Sequence, residues 1–146
     1  MLLDDNYFMK EALKEAKKAF EDDEVPIGAV IVAENRIIAR AYNLTERLND
    51  VTAHAEMQVI TAAANAIGGK YLHECTLYVT IEPCSMCAGA LNWAQISRIV
   101  YGAADPKRGY HKFEGQMLHP KTIVQNGVLE QECGDIVKQF FSRKRK

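Results

Sequence analysis

Residues 75–91, CTLYVTIEPCSMCAGAL, join a strand pattern to a helix pattern and carry two cysteines at the junction. The β-branched and apolar run up to Glu82 predicts a strand. Pro83 is favoured in the first turn of a helix, so a helix is expected to follow directly, over residues 84–95. Cys84 and Cys87 are three residues apart and would share one face of that helix. The stretch therefore predicts a strand leading into a helix with two thiols at its start.

A second stretch, TAHAEM at residues 52–57, places His54 two residues before Glu56. Along the flank of a helix, such residues point to nearly opposite sides. Thr52 can cap a helix that stops at Gly68-Gly69, which puts His54 at about its second position. Side chains in a first turn bracket the helix end, so both groups can reach the space before it. If the two helix N-termini face each other, the histidine meets the thiols.

One histidine and two cysteines supply three ligands for a tetrahedral zinc ion and leave the fourth position open, as in catalytic sites. Two thiolates with an imidazole favour zinc over other divalent ions. A carboxylate beside the metal, here Glu56, can move the proton of an activated water. The sequence also allows a fourth protein ligand from a distant part of the chain. None of the candidates has a recognisable spacing: His73, His111, His119, Cys75 and Cys133.

The remaining patterns alternate strands with helices after an opening hairpin. They predict a single domain over 1–146, built as an α/β fold with a three-layer α/β/α sandwich around a mixed five-stranded sheet. The expected helices beyond those above span 7–20 and 133–146, and the expected strands span 27–33, 36–42, 98–103 and a short 127–132.

The composition is that of a globular protein, with 48% hydrophobic and 25% charged residues and a net charge of -1. No apolar run approaches the roughly 20 residues of a membrane span, and the N-terminus is acidic and amphipathic, so we expect a cytoplasmic protein without membrane contact. Cysteines of such proteins seldom form disulfides, and Cys75 and Cys133 are expected to be buried. The four terminal cations, Arg143 to Lys146, are either a handle for phosphate backbones or a solvated tail.

At these motifs the sequence resembles the cytidine deaminase-like zinc deaminases, and within them the bacterial tRNA-specific adenosine deaminases. The H-x-E and P-C-x-x-C signature is known for this class. The resemblance spans almost the whole chain, through EVPIGAVIV (24–32), AYN (41–43), TAHAEM (52–57), TLYVTIEPCSMCAGAL (76–91), IVYGAADPKRG (99–109) and FFSRKRK (140–146).

The resemblance implies one Zn²⁺ per subunit, a homodimer and a tRNA anticodon stem-loop as substrate. Zinc-bound hydroxide would attack C6 of the wobble adenosine, with Glu56 passing a proton to the leaving amine, and the product would be inosine. The implied zinc ligands are His54, Cys84 and Cys87. The implied substrate contacts are Asn43, the N–H of Ala55, Val25, Ile27 and Asp105. The implied RNA contacts are Lys107, Arg108, Arg143, Lys144, Arg145 and Lys146.

Two stretches differ from the family pattern. Trp93 is similar to a position of the guanine deaminases, and Tyr110–Leu118 replaces a smaller loop after the Asp-x-Lys stretch. These two differences support a second hypothesis, in which the protein is a small-molecule deaminase of guanine or cytosine type with the same zinc site. A non-catalytic zinc-binding or RNA-binding module is the third hypothesis, but such a module needs neither an open coordination position nor Glu56. The terminal cations favour the RNA substrate, because a free base needs no cationic helix end.

Overall fold

A computed structural model describes residues 2–145 of the chain. Its strands are β1 (Gly28–Ala33), β2 (Arg36–Tyr42), β3 (Cys75–Ile81), β4 (Arg98–Ala103) and β5 (Ile123–Asn126). They form one sheet in the order β2-β1-β3-β4-β5. The pairs on both sides of β1 are antiparallel, whereas β3, β4 and β5 run parallel, so the sheet is mixed as predicted.

Four helices cover the two faces of the sheet: α1 (Asp5–Glu21), α2 (Ala55–Ile67), α3 (Ser85–Ala94) and α4 (Glu130–Lys144). A core that contains Val59, Leu77 and Leu91 lies under α2 and α3. A second core, which contains Phe8 and Cys133, lies under α1 and α4. Because both faces are covered, the central strands are buried throughout, as parallel sheets require. The predicted three-layer α/β/α sandwich is confirmed.

The opening hairpin forms where the sequence predicts it. Glu34 and Asn35 connect β1 to β2 with φ angles of 51° and 60°. Two left-handed residues in succession are the conformation of a tight hairpin turn whose twist matches that of the strands. The hairpin brings the end of β2, at Tyr42, next to Gly28 at the start of β1. The segments that flank the hairpin, Val25–Ile27 and Asn43, are therefore adjacent.

Both metal-site helices begin later than the sequence predicts. Thr52 does not cap α2, because its hydroxyl and N–H both donate to Asp50, at 2.7 and 2.8 Å. His54 is the N-cap residue instead, with extended backbone, and Ala55 is the first helical residue. The helix over 84–95 likewise has Cys84 as its N-cap, so Pro83 precedes the helix. The predicted stop at Gly68 is confirmed by its left-handed φ of 74°.

The predicted strand over residues 127–132 is wrong. The fifth strand lies just before it, and Gly127 and Leu129 turn the chain with φ angles of 83° and 54°. Helix α4 then begins at Glu130, three residues before the predicted start. Glu130 and Glu132 lie in its first turn, where negative side chains interact favourably with the helix dipole.

The buried cysteines are confirmed: Cys75 and Cys133 are 2% and 0% exposed, and both are free thiols. Within the described part of the chain, none of the helices has the length and apolar character that crossing a membrane requires.

Gly28 provides a test of how β1 is placed. A Cβ atom at this position would lie within 3.0 Å of the backbone of Ala12 and Ala16 in α1. We expect Gly28→Ala to lower the free energy of unfolding in urea by about 2 kcal/mol, since a packed backbone cannot yield easily. Gly69→Ala is the matched control, because nothing lies within 4 Å of its added Cβ, and we expect a change within about 0.5 kcal/mol. Equal midpoints for the two variants would contradict this close packing.

Candidate metal centre and surrounding site

Three side chains from two helix starts converge at one end of the sheet. The Nδ1 atom of His54 lies 3.6 Å from the sulfur of Cys84 and 3.5 Å from that of Cys87. All three donor atoms lie within 4.8 Å of one another. Within residues 2–145, no fourth histidine, cysteine or carboxylate joins this group.

The donor set fits a tetrahedral zinc ion. Zinc bonds of about 2.3 Å to sulfur and about 2.0 Å to nitrogen, at tetrahedral angles, separate the nitrogen from each sulfur by about 3.6 Å. The two observed separations agree with that value. His54 and Cys84 are both N-cap residues, so their side chains lie at helix ends where the dipole potential is positive. The two residues occupy equivalent positions in their helices, as predicted. Each is the N-cap residue, however, and not the first or second helical residue as expected.

The two thiols differ in acidity because a hydrogen bond between them affects their pKa values in opposite directions. Hydrogen bonds from Cys87 and from His54 lower the pKa of Cys84 to about 4. The hydrogen bond with Cys84, together with burial, raises the pKa of Cys87. The hydrogen bond with Cys84 also raises the pKa of His54. A thiolate is therefore present at neutral pH, and a thiolate is the form that binds a metal.

Glu56 lies in the first turn of α2 beside this group and is only 3% exposed. Burial raises its pKa to about 7. A carboxyl group with that pKa exchanges its proton readily near neutral pH, as a general acid or base must. The environment of Glu56 is thus suited to proton transfer at the site.

The expected base-binding residues surround the start of α2. Asn43 is buried and donates from Nδ2 to the carbonyl of Val25 at 3.3 Å, while its own N–H donates to the carbonyl of Ile27. Val25 and Ile27 are half-buried. Ala55 is fully buried, and as the first residue of its helix its N–H has no acceptor within the helix. The N–H of Leu44 donates to the carbonyl of Ala53, so the end of the hairpin lies against the segment just before α2.

Asp105 belongs to a different segment, which follows β4 and lies against Cys84. Its carboxylate accepts the N–H groups of Lys107 and Arg108, at 3.1 and 3.0 Å, and so forms a tight turn. Lys107 and Arg108 are exposed. Gly109 then pairs with Cys84 in an isolated antiparallel bridge. The expected sugar contact and two of the expected RNA contacts therefore lie beside a metal ligand.

The cations at the end of α4 lie elsewhere, against the end of α1. Arg143 and Lys144 both pair with Asp23, and the Arg143 guanidinium stacks 4.4 Å from the ring of Phe20. These contacts dock the helix end against α1, so Arg143 and Lys144 are not part of a free, solvated tail. Arg145 is exposed, and Lys146 lies outside the described residues.

Two buried carboxylates near the site have no role in the sequence-based hypothesis. Glu24 is 1% exposed and accepts the N–H groups of Glu46 and Arg47, at 2.9 and 2.7 Å. Glu82 is 3% exposed and accepts the N–H groups of Asp105 and His111. Each carboxylate therefore fastens a loop that borders the site. A signal was available for Glu82, which is a single acidic residue at the end of an apolar stretch just before a proline. Glu24 is the last of four consecutive acidic residues, a pattern that is typical of a solvated surface and gave no such signal.

Comparison with known proteins agrees with this geometry. The model of the cytidine and deoxycytidylate deaminase zinc-binding region matches residues 3–103. The tRNA-specific adenosine deaminase of Agrobacterium fabrum is 49% identical over 144 residues, which are 95% of each chain. A solved structure from a study of A-to-I editing by tRNA:A34 deaminases matches with a TM-score of 0.84 and 48% identity, over 89% of this chain and 98% of the other.

A guanine deaminase structure from Bacillus subtilis is also similar, with a TM-score of 0.67 and 38% identity, but over 70% of this chain and 66% of the other. The tRNA-specific relatives match over a larger share of the chain and at higher identity. The chain is therefore a member of the cytidine and deoxycytidylate deaminase family of zinc-dependent enzymes, with tRNA-specific adenosine deaminases among its high-coverage relatives.

Proposed function

We propose that this enzyme converts adenosine to inosine at the anticodon wobble position of tRNA. The observation that carries the proposal is the convergence of His54, Cys84 and Cys87 beside the buried carboxyl of Glu56. The substrate is inferred from the relatives that share nearly the full length of the chain and are named for this activity. The net reaction consumes one water and one adenosine and releases ammonia and inosine.

His54, Cys84 and Cys87 would hold one zinc ion per chain. When bound, zinc lowers the pKa of a water molecule and so supplies a nucleophile at neutral pH. Glu56 would accept a proton from the attacking water and donate it to the amine that leaves C6 of adenine. Its pKa of about 7 allows the same group to accept and to donate near neutral pH.

The base would be held by groups at the hairpin and the helix start. Asn43 contacts the base, the N–H of Ala55 donates to it, and Val25 and Ile27 form the apolar wall. Asn43 is held in place by its bonds to the backbone of Val25 and Thr45, at 3.3 Å each. A fixed polar group in a largely apolar pocket orients a bound base and gives specificity.

The RNA backbone would meet cations on both sides of this pocket. Asp105 lies near the sugar, and Lys107 and Arg108 project from the turn that it forms. On the other side, Val25 and Lys144 line one groove at the end of α4, together with the acidic residues Asp22, Asp23, Glu24 and Glu46. Arg143, Lys144, Arg145 and Lys146 would contact phosphates, and a phosphate would then replace Asp23 as the partner of Arg143 and Lys144.

We also propose that the chain acts as a single deaminase domain in the cytoplasm and as a homodimer. Support for a dimer comes from Trp93, a large apolar side chain on α3 that is 84% exposed. Trp93 lies on the helix that begins at the cysteine ligands, and Val51, also 84% exposed, lies just before His54. Burial of these side chains against a second copy would remove apolar surface from water.

A small-molecule deaminase of guanine type is the second candidate, because of the 38% identity to a guanine deaminase. The metal centre and Glu56 would serve both reactions equally. The two hypotheses therefore differ in what surrounds the base and not in the chemistry.

The substrate can be tested directly with purified, zinc-loaded protein. We expect inosine to form in an anticodon stem-loop that carries a wobble adenosine, and not in one with guanosine at that position. Free guanine, cytosine and adenosine, run in parallel, should remain unchanged. Release of ammonia from a free base, with no inosine in the RNA, would favour the second candidate.

Glu56→Gln separates proton transfer from metal binding. The amide keeps the size of the side chain but cannot accept the proton of a water molecule, so we expect turnover to fall at least about 10²-fold. Zinc content, measured by elemental analysis, should stay at one ion per chain. Cys87→Ser is the comparison, and we expect it to lose zinc and activity together. If Glu56→Gln lost the metal, Glu56 would be a ligand and its proposed role would be wrong.

The cations beside Cys84 can be tested by the salt dependence of RNA binding. For the double variant Lys107→Ala with Arg108→Ala, we expect the slope of log K against log salt to become shallower by about 1.4, because each contact with a single-stranded phosphate contributes about 0.7. The measurement is fluorescence anisotropy with the guanosine stem-loop. Lys10→Ala with Lys17→Ala, on α1, removes the same charge and should leave the slope unchanged. Equal slopes for both double variants would exclude this contact.

A further inference from the structure

Glu82 is a buried carboxylate that the proposed chemistry does not use. It directly follows β3, and its side chain has no solvent exposure. One carboxylate oxygen accepts the N–H of Asp105 at 3.0 Å. The other accepts the N–H of His111 at 3.1 Å and also contacts its Nδ1 atom. A single side chain therefore bonds both ends of the segment 105–111.

The backbone of this segment is packed directly on the carboxylate. A Cβ atom on Gly109 would lie within 3.0 Å of all three carboxylate atoms of Glu82, so a side chain at this position would displace one of the two. Gly109 also pairs with Cys84, and the N–H of Tyr110 donates to the carbonyl of Pro83 at 2.9 Å. The same short stretch of chain, residues 82–84, thus presents a metal ligand and holds the segment.

The segment carries groups that would meet the substrate. Asp105 forms the turn from which Lys107 and Arg108 project, and the carbonyl of Asp105 also accepts the N–H of Gly109 at 2.8 Å. Glu82 accepts the N–H of Asp105, where this turn begins, and the N–H of His111, which follows the turn. Without the carboxylate, both ends of the turn would lose a charge-assisted hydrogen bond, which is among the strong bonds a loop can make.

We propose that Glu82 is a positioning residue for the RNA substrate, which fixes the segment 105–111 against the metal centre so that Asp105, Lys107 and Arg108 face the bound nucleotide. This inference rests on the proposed function. It assigns a role to part of the stretch Tyr110–Leu118, in which the sequence differs from its family. His111 there supplies a second contact to the carboxylate from its side chain.

The test compares Glu82→Gln with Glu74→Gln, which alters an exposed glutamate just before β3. The amide introduced by Glu82→Gln would turn an NH₂ group towards an N–H donor and lose at least one bond. Hydrogen exchange, followed by mass spectrometry, should become about tenfold faster in the peptide that contains residues 105–111, since a bond to a charged acceptor contributes that factor or more. The exchange of other peptides should match that of the wild type.

Kinetics on the adenosine stem-loop should show a selective effect on binding. We expect KM and the Kd for the guanosine stem-loop to rise about tenfold in Glu82→Gln, with kcat within about threefold and zinc content unchanged. Glu74→Gln should match the wild type in every measurement. Gly109→Ala disturbs the same contact from the side of the segment and leaves Glu82 intact. We expect it to raise KM in the same way. This second variant keeps the test decisive if Glu82→Gln does not fold.

Unchanged exchange over 105–111, or a KM and Kd equal to those of Glu74→Gln, would overturn the inference. A fall in kcat together with zinc, at constant KM, would also overturn it, because Glu82 would then act on Cys84 and not on the substrate. Failure of the wild type to deaminate the stem-loop would reject the proposed function. In that case, the exchange and anisotropy measurements still decide whether Glu82 fixes the segment and whether the segment binds RNA.

Discussion

The approach of His54 Nδ1 to two thiols is the interaction on which the arrangement of the site depends. It requires the starts of α2 and α3 to meet at one end of the sheet, although the residues are 30 and 33 positions apart in the chain. The Cys84 thiolate and the buried carboxyl of Glu56 place negative charge there, at a cost in desolvation. Two positive helix ends offset part of this cost, and a divalent cation would offset more, so metal binding and the order of both helix starts should be linked.

The loops around this centre are held by hydrogen bonds to side chains and not by apolar packing alone. Glu24 binds the N–H groups of Glu46 and Arg47, and Gln58 on α2 donates to the carbonyls of Tyr42 and Ala53, at 2.8 and 3.1 Å. An irregular segment cannot pair its backbone groups with a neighbouring strand, so buried side chains must satisfy them. Each such side chain also fixes the segment in one position, which suits a site that must hold a base in a defined orientation.

The sequence predicted the layers of the fold because periodic patterns report burial on both faces of a strand or on one face of a helix. It also predicted that His54, Cys84 and Cys87 come together, since helix starts can be recognised from local residues. It placed the start of α2 too early because Thr52 is a good cap in isolation, whereas Asp50 engages its hydroxyl in the folded chain. The partners of Glu24 and Glu82 could not be predicted, because those hydrogen bonds join residues 22 to 29 positions apart, and no local pattern encodes such contacts.

Three buried glutamates border the same site, so burial by itself does not identify the group that moves protons. Glu24 and Glu82 each accept two backbone N–H groups from a loop. Such bonds occupy the carboxylate oxygens and hold the side chain in one position. Burial is instead the dominant influence on Glu56, and it raises the pKa to about 7. The neighbours of the Glu56 carboxyl group are the thiol of Cys87 and the imidazole of His54, and not the backbone of a loop. These neighbours separate the glutamate suited to chemistry from the two that support the loops.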